Sequence, residues 1–248
     1  YIDQSGDSST ITMTQDGSGN KVKGILLNGS AGGTTDPAKL TGNAQTINVE
    51  QTGQGNTLSL GVNSTQGGSV SGYANIGVNL NYVVNGNTNT GLININNAGT
   101  GTASGNVVDI QQTGNTNNTT LRMTGTSNQT TITTTGGNGN TFVGDINANE
   151  TTTVVNHSGG GGNSTTLDMT GNKGQVSVTT VGASNTSSIT QSAYSTNGSQ
   201  ATIDITGSGN TTTVTQSGVA DQFANIKLYS GSNDNNITVT QSGNYNHS

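Results

Sequence analysis

The residues best placed to do chemistry in this chain are side-chain amides, because they recur at fixed spacing. In "ITMTQDGSGN" the order is Ile11, Met13, Gln15, Gly17, Asn20, and in "ITVTQSGNYN" it is Ile237, Val239, Gln241, Gly243, Asn246. An amide carries both donor and acceptor, so like amides stacked on one another can bond as a column. That is a chemistry of assembly. The usual sets for catalysis are absent from the sequence. The only two histidines are His157, beside "GGGG" at 159–162, and His247 near the last residue, and both read as loop positions. Acids stand singly, which leaves no pair for general acid and base work, and no Ser or Thr has a sequence-evident base.

Other ligand chemistries find little support. "GGNGN" at 136–140 and "GGGGN" at 159–163 are similar to calcium-binding nonapeptide solenoids, but Asn stands where those need Asp, so no metal is expected. "GSGN" is not followed by Lys-Ser/Thr, which removes a phosphate loop, and no cofactor is expected. With 6 basic and 12 acidic residues and a net charge of −6, the chain lacks the clustered cations that a nucleic-acid backbone requires; Lys21 and Lys23 are the one close pair. No apolar run reaches the length of a membrane span, so no membrane insertion is expected. The first residue is Tyr and no signal-peptide pattern precedes it, so the sequence reads as a processed or partial product. Cysteine is missing altogether, which excludes a disulfide scaffold.

The elements that must position the amides are strands. Only 27% of the chain is hydrophobic and 3% aromatic, with 39 Gly, yet Pro37 is the single proline and charge is sparse, which separates it from ordinary disorder. Its apolar residues fall in short alternating clusters of Ile, Val and Leu. Further copies of the motif run Ile47, Val49, Gln51, Gly53, Asn56 and Val108, Ile110, Gln112, Gly114, Asn117, and Thr212, Val214, Gln216, Gly218 has Asp221 in the Asn slot. Allowing Asn or Thr in the Gln slot adds weaker copies, among them Val154, Asn156, Ser158 and Val176, Val178, Thr180, Gly182, Asn185. The slots at 112, 134, 156 and 180, and then at 191, 216 and 241, keep a period of about 22 to 25 residues. Steps of half that length separate Gln4 from Gln15 and Thr180 from Gln191.

Between slots lie other alternating pairs, such as Leu121 with Met123 and Leu167 with Met169, so each period holds two strands. A two-strand repeat buries its apolar side only by stacking on its own copies, which predicts an all-β parallel solenoid of about ten coils, on the order of 50 Å long. The expected ladder residues are Gln4, Gln15, Gln51, Gln112, Gln191, Gln216 and Gln241, with Asn20, Asn56, Asn106, Asn117, Asn185, Asn210, Asn235 and Asn246. Gly6, Gly17, Gly53, Gly114, Gly182, Gly218 and Gly243 are the expected corner glycines. Residues 1–248 form one solenoid domain, with irregular or bulged coils expected at about 28–46 and 63–105.

Gln, two residues to Gly, three to Asn and six to the next Gln resembles the curlin repeat of curli subunits, the bacterial extracellular amyloid fibres. Gln4, Gly6, Ser9, Gln15, Gly17 and Asn20 follow it with one substitution, and Asn185 to Gln191 and Asn210 to Gln216 repeat its second half. The resemblance covers 1–20, 45–62 and 106–248. It implies secretion to the cell surface and end-to-end addition of copies of the chain, with a nucleator or surface anchor as a further partner. A discrete rod serving as an adhesin or phage or virion fibre is the alternative. Thr10, Thr12, Thr14, then Thr131, Thr133, Thr135, then Thr211, Thr213, Thr215 also form Thr-x-Thr arrays of the type that ice-binding solenoids display. That is a third, lesser reading.

Overall fold

The computed structural model describes residues 3–5, 7–20, 39–41, 44–62, 64–65, 68–69, 77–86, 88–95, 105–114, 116–136, 139–158, 162–182, 184–192, 198–207, 209–219, 221–229, 231, 234–243 and 246–247. The fold is a parallel β-solenoid with two strands per coil and no helix among these residues. In the first sheet the strands stack in the order Asp3–Ser5, Lys39–Thr41, Leu58–Val62, Gly91–Ile95, Thr119–Thr126, Phe142–Asn149, Thr165–Thr170, Ser187–Ser192, Thr212–Ser217 and Ile237–Ser242. In the second they are Thr10–Asp16, Thr46–Thr52, Asn79–Asn85, Val107–Thr113, Gln129–Thr135, Thr152–Ser158, Gln175–Val181, Gln200–Thr206, Gln222–Leu228 and Asn246–His247. Ten strands per sheet at roughly 4.8 Å spacing make a rod on the order of 45 Å long.

Alternation decides what is inside. Ile132, Val155, Val178 and Ile203 occupy one inward column of the second sheet, paired rung to rung, and all are fully buried. Leu121, Gly144, Leu167, Ile189 and Val214 form the facing column of the first. So narrow an interior cannot take a large side chain without a small one beside it. Tyr82 is fully buried, and a Cβ on Gly91 would stand 3.3 Å from its ring; Phe142 is likewise fully buried, and a Cβ on Gly144 would stand 2.9 Å from its Cζ. Each aromatic thus fills the volume that a glycine leaves.

Within 63–105, where irregular coils are expected, Asn79–Asn85 and Gly91–Ile95 are complete rungs, and a two-stranded antiparallel pair, Ser64–Thr65 with Gly68–Ser69, stands outside both sheets. Of 28–46, residues 28–38 and 42–43 lie outside the described residues, while Lys39–Thr41 pairs in the first sheet.

The corners that join second-sheet strands to first-sheet strands are built on stacked glycines. Gly17, Gly53, Gly86, Gly114, Gly182 and Gly207 all have φ between +109° and +157°. A Cβ on Gly114 would lie 1.5 Å from the carbonyl oxygen of Gly86 in the coil before it, whereas one on Gly17 meets nothing within 4 Å. The two positions therefore separate conformational strain from collision. Gly17→Ala is expected to cost about 1–2 kcal/mol through φ alone, and Gly114→Ala about 4 kcal/mol or more, because adjacent coils must part. Urea unfolding of the two variants measures the difference.

Candidate functional site

The candidate site is the system of amide ladders together with the outermost rungs that carry it. The longest ladder runs along the glycine corner through Asn20, Asn56, Asn89, Asn117, Asn140, Asn163, Asn185, Asn210 and Asn235. Each Nδ2 from Asn56 onward donates to Oδ1 of the asparagine one coil earlier, at 2.5–3.0 Å. The same Nδ2 of Asn89, Asn185 and Asn210 also donates to the carbonyl of the glycine three residues before it, at 2.9–3.2 Å. This second bond is the reason for the Gly-x-x-Asn spacing. The residue just before the asparagine takes left-handed backbone at Gly19, Gly55, Ser184, Gly209 and Asp234.

The glutamines do not form one series. Register places Gln15, Gln51, Val84, Gln112, Thr134, His157, Thr180, Ile205 and Leu228 in a single column of the second sheet. In the first sheet Gln4, Leu40, Val62, Ile95, Met123, Ile146, Met169, Gln191, Gln216 and Gln241 form another. The 11-residue step from Thr180 to Gln191 is therefore a change of sheet. Gln51 Nε2 donates to Gln15 Oε1 at 2.7 Å, Gln216 to Gln191 at 2.8 Å and Gln241 to Gln216 at 2.9 Å. Where the column loses a glutamine, hydroxyls stand in: the Tyr82 hydroxyl donates to Gln51 Oε1 at 2.9 Å and Thr119 Oγ1 to Gln112 Oε1 at 2.9 Å. Burial pushes the Tyr82 phenol well above its ordinary range.

His157 is not a loop residue: it is an inward member of Thr152–Ser158, 2% exposed, with Nε2 3.0 Å from Thr165 Oγ1. The slot assigned to Asn156 belongs to this histidine, because the strand is shifted by one residue and Asn156 faces outward. Asn106 stands at the opposite corner, where its Oδ1 accepts from the Val78 N–H and its Nδ2 donates to Asn128. That short ladder stops where Thr151 follows, leaving Asn128 Nδ2 buried without a partner. Asn246 is exposed and its Nδ2 bonds only locally, to the Gly243 carbonyl. Gly218 and Gly243 likewise turn this second corner, and Gly6 lies outside the described residues. Asn89, Asn140 and Asn163 were not anticipated. Their signal was the Gly-x-x-Asn spacing without a preceding Gln, present at Gly86 and Asn89.

At the ends the columns open. Ile11, Met13 and Gln15 are half-buried, although Ile47, Val49 and Gln51 one coil inward are buried. Ile237 is 44% exposed and Val239 and Gln241 half-buried, although Val214 and Gln216 beneath them are buried. Asn246–His247 pairs with only Gln222 and Phe223, so Ala224–Leu228 forms open sheet edge among the described residues. Chemically, such rungs can accept another strand.

Among the described residues no group of three His, Asp or Glu side chains is placed to hold a metal ion, and no helix is long and apolar enough to cross a membrane. On the outer surface Lys173 Nζ donates to Glu150 Oε1 at 2.7 Å across adjacent corners, and this bond and the ammonium charge hold the Glu150 carboxyl below its usual range. No family profile, curated protein or solved structure matches the chain.

The ladder makes a simple energetic demand. Asn163→Ala removes the donor to Asn140 Oδ1 and the acceptor for Asn185 Nδ2 inside a dry corner. Urea unfolding is expected to show a loss of about 2–3 kcal/mol, against less than about 0.5 kcal/mol for the exposed Asn246→Ala.

Proposed function

We propose that this protein is a structural fibre or rod subunit that self-associates by head-to-tail addition of coils, an extracellular assembly of the kind the curlin resemblance implies. A β-solenoid is consistent with such a role, and its chemistry would be strand addition without catalysis. The observation that carries the reading is register. Gln4 and Gln241 belong to one column although they lie on the outermost strands at opposite ends of the first sheet. A second copy laying Asp3–Ser5 along Thr240–Ser242 would bring its Gln4 over Gln241 and cover that half-buried amide. Backbone bonds at the open edge and amide bonding would then favour the same alignment.

Purified protein is expected to form unbranched fibres that bind thioflavin. Gln241→Lys, at a half-buried position where an ammonium still donates toward Gln216 Oε1, should leave the monomer folded and stop elongation by placing a charge in the junction. Electron microscopy and light scattering read both. Persistent monomer would refute self-association, and a closed oligomer of fixed size would instead favour a capped rod acting as an adhesin or virion fibre.

A second reading is favoured by one patch. On the outer face of the first sheet, Ser188, Thr190 and Ser192, then Thr213, Thr215 and Ser217, then Thr238, Thr240 and Ser242 form a complete three-by-three set of hydroxyl residues in register. Thr211 lies in the corner and is not part of it. Spacings of roughly 4.8 Å between strands and 6.8 Å along them give the flat array that ice-binding solenoids display. Thermal hysteresis is expected on this reading, and Thr215→Lys, in the middle of the patch, should abolish it.

A further inference from the structure

Among the described residues, the solenoid interior contains one titratable side chain whose charge would matter near neutral pH, and it sits about halfway along the stack. His157 is in the sixth of ten strands of the second sheet, paired through Thr134 below and Thr180 above. Its imidazole has one polar contact in bonding geometry, Nε2 to Thr165 Oγ1, and its Nδ1 is buried without a hydrogen-bond partner. An imidazolium has two N–H donors, so this site can satisfy half of one. No counter-charge is at hand. The adjacent strands Gln129–Thr135 and Gln175–Val181 contain no acidic or basic residue, and the acids of the strands across the interior, Asp145 and Asp168, face solvent. Glu150 and Lys173 are paired to each other on the outside of the opposite corner.

We propose that His157 is an acid-triggered release point, at which taking up a proton opens the middle coil and divides the rod into two separately folded halves. The division is local because a solenoid coil touches only its neighbours, so stability is close to a sum over adjacent pairs and a single weak rung does not unfold the remainder. Burial is also the main cause that holds the His157 value down, from 6.5 to about 4, with the Ser164 backbone opposing it. A histidine held below its unfolded value contributes stability that is complete above pH 6.5 and lost as pH falls toward 4. The inference is independent of whether the rod self-associates, since it concerns a single chain.

Hydrogen exchange of the whole chain, corrected for intrinsic rates, tests it between pH 7 and 4. Protection of Thr152–Ser158 should fall about tenfold per pH unit below the ordinary histidine value, one proton being taken up on opening. Thr46–Thr52 and Gln200–Thr206 should keep theirs. His157→Gln, which supplies a neutral amide in the same column, should remove the slope. A pH-independent middle rung, an equal loss in all rungs, or the same slope in the variant would each overturn the proposal. If the variant fails to fold, titration of the His157 ring by NMR in the native chain decides: protonation with an ordinary value while the fold stays intact would also overturn it.

Discussion

A buried primary amide has three or four hydrogen-bonding positions to satisfy, and in this interior most of what is available to satisfy them is the same amide one coil away. From Asn56 to Asn235 every Nδ2 of the long ladder finds its partner at that distance, a separation of 22 to 36 residues in sequence but one strand spacing in space. A slip of two residues in any coil, which would keep the apolar face inward, would leave both members of a pair orphaned in a buried corner, each at about 1–3 kcal/mol. Apolar columns alone cannot impose this. Ile, Val and Leu tolerate one another in several registers, so the hydrophobic residues stabilise stacking in general and the amides select one alignment.

The same constraint limits how polar a coil can be. Where the second sheet carries Gln112, the first carries Met123 in its corresponding column; where the first carries Gln191 and Gln216, the second carries Ile205 and Leu228. Gln51, Gln216 and Gln241 each use their Nε2 on the neighbouring amide and on a backbone carbonyl, as Gln216 does with Gln191 and with Ser199 and Phe223. Two such side chains in one cross-section would compete for those carbonyls. The half-period step from Thr180 to Gln191 moves the polar column from one wall to the other, whereas that from Gln4 to Gln15 sets glutamine positions on both walls of the first coil.

What could be read from the residues follows from this physics. Alternation in "ITVTQ" is local, so strand type, inward face and coil length were legible, as was the turn at Gly114. Pairings across the interior were not. Tyr82 and Gly91, on opposite sheets, compensate one another in volume, and nothing in either short segment reports that they meet. His157 was misread because "GGGG" two residues later looks like a loop that should already have begun, while the strand in fact continues to Ser158 and its phase differs by one from the preceding copy. Asn140 and Asn163 were obscured because the coils that hold them have lost the glutamine that made the other copies conspicuous.

The direction of donation along the asparagine ladder has an electrostatic consequence. Every bond from Asn56 to Asn235 points the same way, the later coil giving and the earlier receiving, and the Gln51, Gln216 and Gln241 bonds share that sense. An amide group has a dipole of about 3.5 D, and aligned dipoles add as they do along a helix. The side-chain column therefore behaves as an internal axial dipole. Two rods meeting tail to tail would abut like poles, so the interior, which no partner touches before contact, already distinguishes one end of the molecule from the other.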